Sequence, residues 1–463
     1  MTRPGKVALV LHTHMPYVEG FGTWPFGEEW LWEAIATSYL PVLNLLDEGA
    51  PLTLSLTPVL CDQVEAPGAL DRCRAFLRDV RPASHQLDID AFREVGDEAA
   101  AAELERAAAE YAHALAQLDA IGDGFLSRLA PHAAWTSSAT HAILPLLATD
   151  SGVRLQVQTG VDSQRARFGD RWRGGFWMPE CAHGPWIDRL LEEAGVHATC
   201  VELTDGFGLG DPRHLTPLRS PAGPLLVPID RALIDLVWGQ DGYPSRAAYR
   251  DYHHRTSRDH HPWANDGAVY DAARAAAQVE SDAAEFVAAC SERVAGGGLC
   301  VLAMDTELFG HWWHEGPAFL AAFVAEAARA GLQLAHLDNA LHDAETAPLP
   351  DGYDRVTTWG QPRTLHTWSG PAVADMARRQ RADELRVLAE GPALTERAAR
   401  ELLALQASDW AFLETRKLAG PYARERFDGH AAALESELQQ VPSDAPAVRN
   451  LAPHLSLAPM LEP

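Results

Sequence analysis

The stretch VALVL (7–11) is apolar at every position, and it constrains this chain more than any other feature. A strand with one wet face alternates apolar and polar residues. A run without alternation is buried on both faces, as in a parallel sheet covered by helices. LTLSLT (52–57), RLQVQT (154–159), GGFWM (174–178), LLVPI (225–229) and GLCVLAM (298–304) are further strand-like runs. Amphipathic stretches such as GPWIDRLLEEAGV lie between them, with Pro185 suited to a first helical turn and Gly195 to a helix end. Strands alternating with helices predict an α/β fold built as a parallel barrel.

Two regions break this rhythm. From about 91 to 130 the sequence is rich in Ala, Glu, Leu and Arg at helical spacing, with no strand-like run, which predicts a helical insertion in the barrel. After about 370, ADMARRQRADELRVLAE, ALTERAARELLALQASDWAFL and YARERFDGHAAALESEL predict a helical C-terminal region. At 463 residues the chain exceeds one ordinary core, so more than one folding unit is expected.

Charge narrows the partners. Lys and Arg number 38 against 64 Asp and Glu, a net −26 that repels nucleic-acid backbones and anionic membrane surfaces. The apolar run near the N-terminus is too short for a signal-peptide core and no run of about 18 apolar residues occurs, so a soluble cytoplasmic protein is expected. The six cysteines show neither CxxC pairing nor zinc-like His spacing, so no structural metal or disulfide framework is indicated. Cys181 reads as a packing thiol.

In a parallel barrel, chemistry sits where strands end. His12 and His14 follow the first run as H-T-H, and the period of two puts both imidazoles on one face. A structural pair, a metal-binding pair and a substrate-orienting pair all fit that pattern. Glu180 ends GGFWM after Pro179, and Asp305 ends GLCVLAM, so two acids occupy equivalent strand ends. A lone acid there is often a helix N-cap. Tryptophans crowd both, Trp177 and Trp186 around Glu180 and Trp312 and Trp313 after Asp305, and indole faces stack on sugar rings as readily as they pack a core. Two carboxyls flanking a glycosidic bond are the minimal equipment for glycoside cleavage.

With HTHMPY (12–17), GEEWLWEAIATSYLPVL (27–43), SATHAILPLL (138–147), GGFWMPECAHG (174–184), DTELFGHWWHEGP (305–317), TWGQPRTLHTWSG (358–370) and LLALQASDWAFL (402–413), the chain resembles glycoside hydrolase family 57, in particular its α-1,4-glucan branching enzymes. The resemblance implies an incomplete (β/α)7 barrel over residues 1–370 with a helical insertion at about 62–135, and a helical C-terminal domain over 371–463. It implies an α-1,4-glucan substrate, no cofactor and no metal, and a retaining double displacement with Glu180 as nucleophile and Asp305 as general acid/base. It places His12, His14, His141, Trp177 and His311 against substrate. Trp24, Trp359, Trp368 and Trp410 are candidate stacking platforms, and Asp409 in the C-terminal motif is a further substrate-binding candidate.

The sequence departs from that family in two places. After VWGQDGYPSRAAYRDYHH only RTSRDHHPWANDGAV precedes the next helix, which predicts a truncated active-site lid and a bias toward hydrolysis, amylase-like in the extreme. QPRTLHTWSG also lacks the glycine-rich text expected after Trp359–Gly360. Two further readings stand beside this one: a metal-dependent hydrolase using His12, His14 and Asp305, and a catalytically silent glucan-binding protein.

Overall fold

The computed structural model describes residues 5–221, 223–350, 352–353, 355–441 and 448–461. Seven parallel strands carry the fold: β1 (Lys6–Thr13), β2 (Thr53–Leu56), β3 (Ala133–Ser137), β4 (Gly175–Trp177), β5 (Ala198–Val201), β7 (Leu225–Pro228) and β8 (Leu299–Asp305). Three two-residue strands flank them: β6 (Leu218–Arg219), β9 (Gln333–Leu334) and β10 (Ala347–Pro348). The order across the sheet is β10-β6-β7-β5-β4-β3-β2-β1-β8, with β9 alongside the start of β1 and only β6 and β7 antiparallel. Beyond β7 the Asp230 N–H donates to the Val301 carbonyl of β8 at 2.8 Å, so the two edges of the curled sheet meet without a full ladder. This is the incomplete seven-stranded barrel that the sequence leads one to expect.

Continuous apolar runs became buried strands for the reason given above. Every residue of β1 after Lys6 is buried, as is every residue of β8 before Asp305. RLQVQT is a correction. It lies inside the helix Asp150–Phe168, because the Thr149 hydroxyl caps the Gly152 N–H at 3.0 Å and starts a helix just upstream. The strand expected there is β3, AAWTS, and β5, ATCV, completes the sheet; both are short and partly polar.

Between β2 and β3 the chain is helical, with Arg81–Glu94 and Glu98–Ile121 packed side by side. Helices Ala374–Ala389, Glu396–Leu405, Ser408–Arg416 and Tyr422–Leu438 follow the barrel. They dock on the loop after β1: the Tyr17 hydroxyl donates to the Arg449 carbonyl at 2.7 Å, and the Arg426 guanidinium sits 3.2 Å from the centre of the Phe21 ring. A buried His430–Glu401 pair at 2.8 Å holds two of these helices together.

Candidate active site

Register alone brings the first three groups together. In the parallel ladders His12 stands opposite Ser55 of β2 and opposite Asp305 of β8, so all three lie at one level at the carboxyl ends of adjacent strands. Two strands further on, Ser137 of β3 stands opposite Trp177 of β4. The indole of Trp177 stacks on His12 with ring centres 4.8 Å apart.

Three imidazoles form the floor. The His14 ring centre lies 4.0 Å from that of His141 and the His12 ring centre 5.1 Å from it, the rings stacked with planes 19° and 22° from parallel. The His12 Nε2 and His141 Nε2 are 3.0 Å apart, while their Nδ1 atoms face the hydroxyls of Ser55 at 3.2 Å and Ser408 at 2.9 Å. Burial and the neighbouring His14 charge hold both His12 and His141 far below the ordinary imidazole pKa. Both are therefore neutral, one lending its Nε2–H to the other. His14 goes the opposite way. Burial alone would lower it, but the Asp409 carboxylate at 3.0 Å, with Glu307 and Glu180 nearby, raises it. Of the three, His14 is thus the imidazole that most favours its charged form, pinned by a residue of the C-terminal helices.

Glu180 is presented by strained backbone. It follows β4 with φ 59° and ψ 25°, and Cys181 after it has φ 47°. Left-handed non-glycine residues cost about 1–3 kcal/mol each and survive where the surroundings over-determine them. Here the Thr358 hydroxyl at 2.7 Å and the Trp359 N–H at 3.2 Å both donate to the Glu180 carbonyl. The Trp359 indole Nε1–H then donates to Glu180 Oε2 at 2.7 Å. His141, with φ 60°, is a third left-handed residue at the same site. Burial pushes the Glu180 carboxyl up to about 7 and Asp409 adds to it, while the Trp359 hydrogen bond, His14 and Arg416 oppose the rise. Cys181 is fully buried and burial raises its thiol, the behaviour of a packing residue.

Asp305 faces the same space. Its side chain caps no helix, and among the described residues none donates a hydrogen bond to it. Burial, then Glu307 and Glu180, raise its pKa far above the carboxylate range, so it is a protonated acid beside an ionisable partner. Glu307, which sequence reasoning passed over, accepts from the Tyr39 hydroxyl at 2.6 Å and the His14 N–H at 3.0 Å, and burial lifts it to about 7. Its place two residues after Asp305 was the available signal; Tyr39, Ser55 and Ser408 gave none.

The aromatic candidates divide. Trp177 is fully buried but backs His12, and it lies 5.0 Å from Trp359. Trp359 is half-buried against Glu180. Trp24 is half exposed on the loop before helix Glu28–Ala34. Trp368 and Trp410 are corrected: both are buried in the core, and the Trp410 Nε1–H is used by the Ala404 carbonyl at 2.8 Å. Neither offers a face to a sugar, because packing the C-terminal helices consumes both rings. His311 turns toward Trp312, its pKa lowered by burial; Glu33, Asp259, Arg81 and His261 act on it electrostatically. The segment after Tyr249, where the sequence leads one to expect a truncated lid, is tied to the helical insertion. Asp88 of the insertion holds it by Thr256 at 2.6 Å, Arg258 at 2.6 Å and His260 at 2.7 Å.

One triad among the described residues, His14, His141 and Asp409, has donor atoms close enough to share a metal ion. The fit is poor. His14 Nε2 is spent on Asp409 and His141 Nε2 on His12, and His14 is the imidazole that most readily holds its proton. His12 and Asp305, the other half of the metal reading, lie outside this triad.

The sequence profile of glycosyl hydrolase family 57 matches residues 134–349, and that of the C-terminal region of 1,4-α-glucan branching enzymes matches residues 371–453. A probable 1,4-α-glucan branching enzyme of Mycobacterium tuberculosis is 31% identical over 503 aligned residues, covering 93% of this chain and 91% of the relative. The 1,4-α-glucan branching enzyme of Thermococcus kodakarensis is 30% identical, over 91% of this chain and 71% of its own length. The crystal structure of a branching enzyme of this family from Pyrococcus horikoshii superposes with a TM-score of 0.87 at 27% identity, covering 99% of this chain and 97% of that one. Matched in this way along its length, the chain belongs to glycosyl hydrolase family 57.

Proposed function

We propose that this chain is a retaining 1,4-α-glucan branching enzyme in which Glu180 is the nucleophile and Asp305 the general acid/base. One observation carries the assignment of roles: Asp305 at the end of β8 feels the charge of Glu180 after β4, yet only Glu180 receives a hydrogen bond that favours its ionised form. Glu180 attacks the anomeric carbon of an α-1,4-linked glucosyl unit while Asp305 passes its proton to the departing 4-oxygen. The glycosyl unit is then an ester of Glu180, and Asp305 is a carboxylate. A 6-hydroxyl from another stretch of glucan gives its proton to Asp305 and attacks the ester. Both acids return to their starting states, and two inversions leave the α configuration. Water in place of the 6-hydroxyl gives hydrolysis.

The remaining candidates support this chemistry from around the pair. Neutral His12 and His141 and the more basic His14 offer donors to sugar hydroxyls, and Trp359 and Trp24 offer faces. Residues 1–370 form the catalytic barrel in this reading and 371–463 a helical domain that completes its floor. A glycogen-like storage glucan is the natural substrate class. All six cysteines are free and buried, which supports the reducing cytoplasm, and no helix among the described residues is long and apolar enough to cross a membrane.

Incubation with amylose tests the reaction, counting new α-1,6 linkages against new reducing ends. Linkages in excess identify a branching enzyme, and reducing ends alone an amylase-like hydrolase. Appearance of neither product would remove the proposal, and full activity of the Glu180→Gln variant would remove the nucleophile assignment.

A further inference from the structure

The mechanism above makes no use of a cavity of about 580 Å³ that opens beside the helix Arg231–Trp238. Its wall includes Trp238, Gln240, Asp241, Arg246, Glu285 and Gln361. That volume lies within the range of about 300–1,000 Å³ common to ligand pockets. Trp238 is 38% exposed, although tryptophan is ordinarily well covered.

Its placement is built in. The helix ends where the Gly239 N–H returns to the Asp235 carbonyl at 2.9 Å, and a Cβ on Gly239 would come within 2.3 Å of that oxygen. Only glycine allows the chain to turn there, leaving Trp238 projecting from the last turn.

The ring does not stand alone. Its centre is 6.1 Å from that of Trp359 and 6.0 Å from that of Trp312. Trp359 in turn lies 5.0 Å from Trp177 and hydrogen-bonds Glu180. Indoles therefore run without a break from the reacting carboxyl to the cavity. The polar side of the cavity is mixed. Among the described residues the side chains of Gln240, Asp241 and Gln361 have no hydrogen-bond partner, and Arg246 is balanced by Asp282 and Glu285, each at 3.5 Å. An aromatic wall facing unspent amide and carboxylate groups, with no net positive charge, suits a neutral ligand that has apolar faces and many hydroxyls. A sugar ring has both.

We infer that this cavity is an outer subsite of the branching reaction: it grips the α-1,4-glucan chain some glucosyl units away from the bond being exchanged, with Trp238 as stacking platform, and so sets the chain length the enzyme prefers. This rests on the branching-enzyme reading and adds to it the residue that measures length.

Two arms test it, each with a short and a long linear substrate, maltotetraose and maltodecaose. In the first, kcat/KM is compared for wild type, Trp238→Ala and Trp238→Phe, with melting curves to check the fold. Wild type should favour maltodecaose, Trp238→Ala should lose about tenfold of that preference, and Trp238→Phe should keep most of it. An equal loss on both lengths, or no loss, would overturn the inference, as would a wild type indifferent to length. In the second arm, binding is measured calorimetrically in the Glu180→Gln background with and without Trp238→Ala. The tighter binding of maltodecaose should vanish with the indole. If that happens in a protein whose wild type turns over no glucan, the subsite stands and the branching reading falls.

Discussion

Replacing Glu180 should make the protein more stable, and the gain should depend on pH. In an unfolded chain Glu180 ionises near 4.5; in the fold, burial moves this to about 7. Between those two values the folded state retains a proton that the unfolded state has released, so stability falls as pH rises through the window. The loss is complete above about pH 7. A rise from 4.5 to about 7, at about 1.36 kcal/mol per pH unit, amounts to about 3 kcal/mol. Glu180→Gln removes the ionisation, while its amide oxygen can still accept the Trp359 Nε1–H. At pH 8.5 the variant should exceed wild type by about 3 kcal/mol, and near pH 4.5 the difference should close. With an unfolding entropy of about 2.1 cal/mol/K per residue over 463 residues, that gap is about 3 °C in melting temperature. Differential scanning calorimetry at pH 5, 6, 7 and 8.5 reads it directly. A gap that stays constant across the series, or a variant less stable than wild type at pH 8.5, would refute the claim that burial is what perturbs this carboxyl.

Further outcomes follow from single contacts. Trp359→Phe removes the donor that favours ionised Glu180, so the acid limb of the kcat/KM profile should move to higher pH, with about tenfold lower kcat/KM at pH 7; an unmoved limb counts against the contact. Asp409→Asn leaves His14 without its counter-charge in a part-buried pair, which should cost about 3 kcal/mol of stability in denaturant titrations and lower the His14 pKa seen by NMR. Asp88→Ala unhooks Thr256, Arg258 and His260 at once, and the ratio of reducing ends to α-1,6 linkages should rise about threefold as water gains entry. An unchanged ratio would show that this short segment does not shield the site.

The barrel was legible where burial acts on both faces of a strand, as in VALVL and GLCVLAM, because short runs rich in β-branched residues and bounded by glycine favour a strand over a buried helix. RLQVQT was misread: six alternating residues fit a strand, and the capping Thr149 just before them decides otherwise. Glu180 and Asp305 could be picked out because they end apolar runs, a one-dimensional signal. Glu307 with Tyr39, and Ser408 with His141, could not, since each pairing joins residues more than 260 positions apart. Tryptophan was the least readable type. Trp359, Trp410 and Trp238 carry the same side chain, and only the depth at which helices leave each ring separates a wall of the site from packing and from an open platform.

Asp409 and Ser408, which fix two imidazoles of the floor, belong to the helix Ser408–Arg416, and Asp409 comes 395 positions after its partner His14. During translation the barrel strands can leave the ribosome with both acids in place and still lack the groups that set the charge and tautomers beside them. Turnover is thereby tied to completion of synthesis. A chain ending before Ser408 would carry Glu180 and Asp305 yet lack the groups that hold His14 and His141.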